Sequence, residues 1–152
     1  MIKKFVCLLI LLMSAHSVLA SALQTEDIAQ MKIAVNNQEY DVILEENDTT
    51  SALQHLLPMT LSMSDLNNNE KYYYLEQPLP SNPEKVNSVS TGDIMLFGDD
   101  CLVVFYKDFE TPYSYTRIGH IENLSNLEEI FGAGIVDIKF DTTESFMPES
   151  MK

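Results

Sequence analysis

Apolar and polar residues alternate over short stretches from Met31 to Phe140, and only twice does the spacing lengthen to that of a helix. Met31 to Val35 and Gln38 to Leu44 alternate on either side of Asn36-Asn37. Asparagine tolerates the positive φ that a primed turn needs, so this stretch predicts a β-hairpin. Asn47-Asp48-Thr49-Thr50 offers capping side chains to a short helix over Ser51 to Leu57, which Pro58 ends. Ala52, Leu53, Leu56 and Leu57 fall on one face of that helix. Met59, Leu61 and Met63 mark a strand from Met59 to Ser64, and Glu70 to Leu75 is another, rich in tyrosine.

Pro78 to Ser90 is a long loop with Pro78, Pro80 and Pro83 and little apolar content. Such loops often border binding sites. Ile94 to Phe97 and Cys101 to Tyr106 pair across Gly98-Asp99-Asp100, and Ser114 to Ile121 is the next strand. Ser125-Asn126-Leu127-Glu128 has the spacing of a capping box, opening a second short helix that Gly132 closes. Ile135 to Phe140 is the last strand, and the polar residues 141–152 are expected to be a disordered tail. About eight strands and two short helices predict a mainly β domain over residues 31–140. A closed eight-stranded barrel, filled by its own side chains and capped by the helices, fits best. An open sandwich is the alternative closure.

Ahead of the domain lies a different pattern. Met1-Ile2-Lys3-Lys4 is basic, Phe5 to Met13 is apolar, and small residues surround Ala20-Ser21-Ala22. This is the layout of a secretory signal peptide over residues 1–22, cleaved after Ala20 or Ala22. It predicts an exported protein, periplasmic or extracellular. An uncleaved anchor fits less well, because an apolar run broken by Ser14, His16 and Ser17 is short for a bilayer. The formal net charge of the 152 residues is −14, and loss of Lys3 and Lys4 with the leader brings it near −16. Such a surface repels nucleic acid and anionic lipid, so neither is expected as a partner. The pattern does not fix an oligomeric state.

The segments LPMTLSMSDL, EKYYYL, GDIMLFGDDCLVVFYKDF and YSYTRIGHI resemble the bacterial cyclophilin-like proteins, from about Met31 to Phe140. The resemblance implies an eight-stranded closed barrel with a helix at each end, and no particular activity. True cyclophilins place an arginine beside an apolar pocket for the proline ring, in a Phe-His-Arg run followed by Phe-Met-x-Gln-x-Gly-Asp. The matching region here, Leu61 to Leu75, holds no arginine. Its one cation, Lys71, lacks the rigid guanidinium fork. The family tryptophan is missing too, since the chain has none, and Tyr115 stands where cyclophilins carry a histidine.

Candidate ligand-binding residues are Met63, Tyr72, Phe105, Tyr113, Tyr115 and Arg117, with Tyr74 beside them, lining a groove of the barrel; the equal alternative for the tyrosines, Phe105 and Met63 is barrel core with the hydroxyls reaching the rim. Arg117 is the lone arginine, and two roles fit it. One is an anion or carbonyl clamp; the other, favoured in so acidic a chain, is an ion pair with Glu70, Asp93 or another acid. No catalytic motif is present, no cofactor is indicated, and His55 and His120 lack ligand spacing, so no metal site is expected. Cys101 opens an apolar strand without a basic neighbour and reads as buried and inert. Three functions remain in view. They are a non-enzymatic module binding a small molecule or extended peptide, a prolyl isomerase with an altered site, and a structural or interaction protein.

Overall fold

The computed structural model describes residues 30–143. The signal-peptide segment and residues 144–152 of the tail lie outside the described residues. Eleven strands and two helices follow one another: β1 (Gln30–Val35), β2 (Gln38–Leu44), α1 (Asp48–Gln54), β3 (Met59–Leu66), β4 (Glu70–Tyr74), β5 (Glu84–Lys85), β6 (Ser88–Val89), β7 (Asp93–Phe97), β8 (Cys101–Phe105), β9 (Phe109–Glu110), β10 (Ser114–Ile121), α2 (Leu127–Phe131) and β11 (Val136–Thr142). Eight strands of five residues or more pair antiparallel in the order β2-β1-β11-β3-β4-β8-β7-β10. β10 then pairs with β2, so the sheet closes into a barrel. The open sandwich is excluded.

Closure depends on one small residue. Gly119 stands opposite Leu44 in the β2–β10 pair, just after a register shift in β10, and a Cβ there would collide with the Ile43 carbonyl. The hairpin between β1 and β2 turns at Asn36 and Asn37, both with positive φ, as the Asn pair predicts.

The barrel interior is filled. Met31, Ile33, Val42, Met63, Ile94, Leu96, Leu102, Val104, Ile118, Ile138 and Phe140 form one buried cluster, which Leu53 joins from α1 and Phe131 from α2. A second, smaller cluster lies on the other face of the sheet, where Val89, Met95, Cys101, Val103, Phe105 and Tyr115 pack together. β8 belongs to both clusters, so all five of its residues are buried, and CLVVF is a continuous apolar run rather than an alternating one.

Four local expectations change. α1 starts at Asp48, three residues early, because Asn47 takes the N-cap and accepts the Thr50 N–H at 2.9 Å. Its buried face is accordingly Thr49, Thr50, Leu53 and Gln54, while Leu56 is exposed. The threonine hydroxyls are satisfied by the Pro80 and Ile118 carbonyls. At α2 the capping box does not form: Asn126 is the N-cap residue in the left-handed conformation, without a side-chain cap bond. Gly132 does close that helix, its N–H donating to the Glu128 carbonyl. The Pro78–Ser90 stretch carries two short strands, β5 against β10 and β6 against β9. Finally, β11 takes in Asp141 and Thr142, two residues assigned to the tail.

Candidate functional site

Strand alternation and register build the site. On β4, Glu70, Tyr72 and Tyr74 share the outer face, and they stand opposite Phe105, Val103 and Cys101 of β8. Across β8, Val103 pairs with Met95 and Cys101 with Phe97 on β7. Met95 in turn stands opposite Arg117 of β10. The outer face is thus a lattice of aromatic and apolar residues, with Tyr115 resting edge-on against Phe105 at 5.5 Å between ring centroids. Val86, Val89 and Phe109 cover part of it.

The uncovered part is a groove of about 360 Å³, lined by Leu66, Glu70, Tyr72, Tyr74, Phe97, Cys101, Val103, Tyr113 and Tyr115. Its floor is Cys101 and Val103, both buried. Tyr72 and Tyr74 meet edge to face at 5.9 Å, and across the floor Phe97 contacts Tyr113 at 5.7 Å and Tyr115 at 5.6 Å. Tyr74, Phe97 and Tyr113 remain exposed to solvent. Large open rings of this kind are common where a surface is made to be covered.

Among the described residues, Glu70 is the one charged side chain lining the groove. It is only 9% exposed, and among the described residues it makes no ion pair. Burial, reinforced by the negative Asp65 nearby, pushes its pKa from 4.5 up to about 7. The Cys101 thiol is pushed up to about 11 by burial and by Asp100 and Glu70, so it is protonated and unreactive at neutral pH.

Lys71, the next residue, points to the opposite face and is fully buried. Its ammonium donates to Asp65 Oδ2 at 2.8 Å and to the Gly132 and Gly134 carbonyls at 2.7 Å each. The Tyr106 hydroxyl donates to the same carboxyl oxygen at 2.5 Å. Burial alone raises the Asp65 pKa, but the bonds from Lys71, Tyr106 and the Asn68 backbone outweigh it and hold the carboxyl below its ordinary value. Lys71 is therefore a brace between β4 and the α2–β11 connection, away from the groove.

Of the six candidate residues, the structure gathers Tyr72, Tyr113 and Tyr115 in the groove. Phe105 lies under Tyr115 as part of the support, and Met63 is in the barrel interior. Arg117 opens into a separate polar pocket of about 540 Å³ with Glu45, Asp48, Glu84, Ser81 and Asn82, which meets the groove only at Tyr115. The expected ion pair with Glu70 or Asp93 is not formed, and Arg117 makes none among the described residues. Register is the reason: Arg117 stands opposite Met95, while Asp93 bonds His120 Nδ1 at 2.9 Å and the Ser90 N–H. Glu70, Phe97 and Val103 were not among the candidates. The alternation of Glu70 with Tyr72 and Tyr74 was a usable signal for the first, but nothing local pointed to the other two.

Comparison with known proteins supports the architecture. The family model described as the cyclophilin-like family matches residues 33–141. The solution structure of a hypothetical protein from Archaeoglobus fulgidus is similar, with a TM-score of 0.53 at 19% identity, over 76% of this chain and 95% of that one. No curated protein matches the chain.

Proposed function

The chain belongs to the cyclophilin-like family, and on that premise we propose that it is a non-enzymatic binding module whose ligand seat is the groove on the outer face of the barrel. The ligand is a small molecule or an extended peptide segment. One observation carries this reading: five aromatic rings surround an apolar floor on a surface left open beside a filled core. Among the described residues the barrel interior is taken up by side chains that pack against one another. The three-part layout of residues 1–22 supports export to the periplasm or outside the cell.

The isomerase alternative draws no support from the groove. Prolyl isomerisation has to lower a barrier of about 18–20 kcal/mol. Among the described residues no basic side chain lines the groove, Lys71 is committed to the interior, and Arg117 lies in the neighbouring pocket. The test is a heteronuclear NMR titration of the full chain with small aromatic compounds and extended tetrapeptides. Saturable shifts at Tyr72, Tyr74, Cys101, Val103, Tyr113 and Tyr115 are expected, with no rate enhancement in a protease-coupled isomerisation assay. Saturable shifts confined to other surfaces, or rate enhancement, overturn the reading.

A further inference from the structure

The groove combines a cluster of aromatic rings with a buried carboxyl that makes no ion pair among the described residues. Aromatic rings attract cations through their quadrupole, and a carboxylate in a low-dielectric site supplies the counter-charge. We infer that the groove is a seat for an organic ammonium head group, of the methylated or quaternary amine type. In it the rings of Tyr72, Tyr74, Phe97, Tyr113 and Tyr115 surround the head, and Glu70 is its counter-ion. This rests on the outer-face groove being the ligand seat.

The same molecule shows why the head is methylated. Lys71 is a primary ammonium, and burying it takes three oxygen acceptors, from Asp65, Gly132 and Gly134. The groove offers one carboxyl and a surround of rings instead. That arrangement suits a cation with few N–H donors and several methyl groups, which contact apolar surface without needing acceptors. The formal charge of −14 over the chain draws such a cation toward the surface.

Binding depends on pH, because the head needs ionised Glu70. The titratable groups around Glu70 are Asp65 from β3, Tyr72 and Tyr74 from its own strand, Cys101 from β8 and Tyr106 just after it, and Tyr113 and Tyr115 from the β10 side. Burial holds the Cys101 thiol and the Tyr115 hydroxyl protonated, and Asp65 stays ionised. Glu70, near 7, thus changes charge between pH 5.5 and pH 8.5. Affinity for the cation rises across that interval.

The experiment titrates the full chain with choline and with its neutral carbon isostere, 3,3-dimethylbutan-1-ol, followed by NMR at pH 8.5 and pH 5.5. Glu70→Gln and Tyr74→Leu are compared with the wild type, and circular dichroism melting checks that each variant is folded. Tyr74 is an exposed wall of the groove, so its replacement keeps the fold while removing a ring. Choline is expected to shift the groove resonances at pH 8.5, and to bind about tenfold more weakly at pH 5.5, in Glu70→Gln and in Tyr74→Leu. Equal binding of the neutral isostere, or choline binding that Glu70→Gln leaves unchanged, overturns the ammonium inference and leaves the groove as a ligand seat. Silence of the groove toward both probes overturns this inference alone. Silence toward the aromatic compounds and tetrapeptides as well overturns the groove reading with it.

Discussion

Glu70 and Lys71 are consecutive residues on one strand, both charged and both buried, yet their surroundings are opposites. Lys71 faces the barrel interior with all three of its N–H donors used. Glu70 faces the outer groove with no ion-pair partner among the described residues and a pKa driven up by burial. A buried charge that is fully bonded fixes structure, and in this chain it pins the α2–β11 connection to β4. A buried charge left without a partner weakens the fold, and it is retained where something from outside can complete it.

The comparison is broken most directly at Lys71. Lys71→Met keeps the packed stem but strands Asp65 and two carbonyls, and is expected to cost about 3–5 kcal/mol in chemical denaturation. A loss under about 1 kcal/mol would make Lys71 no more structural than an exposed lysine.

The two carboxylates also titrate in opposite senses. Folded Glu70 keeps its proton to higher pH than the unfolded chain does, so its contribution is full below 4.5 and is lost as pH rises through about 7. Asp65 behaves in reverse. Its contribution is present above 3.8 and disappears as pH falls through its lowered folded-state value. Glu70→Gln is therefore expected to stabilise the protein by about 1–3 kcal/mol at pH 8.5 and to do little at pH 4.5. Denaturation curves at the two pH values measure this, and an equal effect at both would place Glu70 in contact with water.

The smallest effect is expected at Arg117. It is exposed and unpaired among the described residues, so Arg117→Ala should change stability by less than about 0.5 kcal/mol. A larger loss in thermal melting would show that its polar pocket belongs with the bonded interior rather than with the open surface.

Much of the architecture was legible in the chain. Alternation and short apolar runs bounded by turn residues located the eight long strands, and the Asn36-Asn37 pair located the first turn, because these signals are local. The groove was legible only in part. Tyr72 and Tyr115 were found as tyrosines on strands and Tyr113 as the residue just before one, but Met63 and Phe105 looked equivalent to them. No local feature separates an inward methionine from an outward one. The register that sets Tyr74 against Cys101, and Cys101 against Phe97, joins residues on three strands.

The sequence by itself determined a mainly β chain of about eight long strands with an acidic composition, and it favoured a barrel over an open sandwich without deciding between them. Period-two patterning states which residues share a face, and composition states the charge. Only the tertiary structure decided which face was filled, which stayed open, and that Glu70 would lie beside five rings without an ion pair among the described residues while Lys71 was fully bonded. Both residues are charged and adjacent in the chain. Their different fates come from what β3, β8, β10 and the α2–β11 connection bring against them, and those contacts exist only once the barrel has closed.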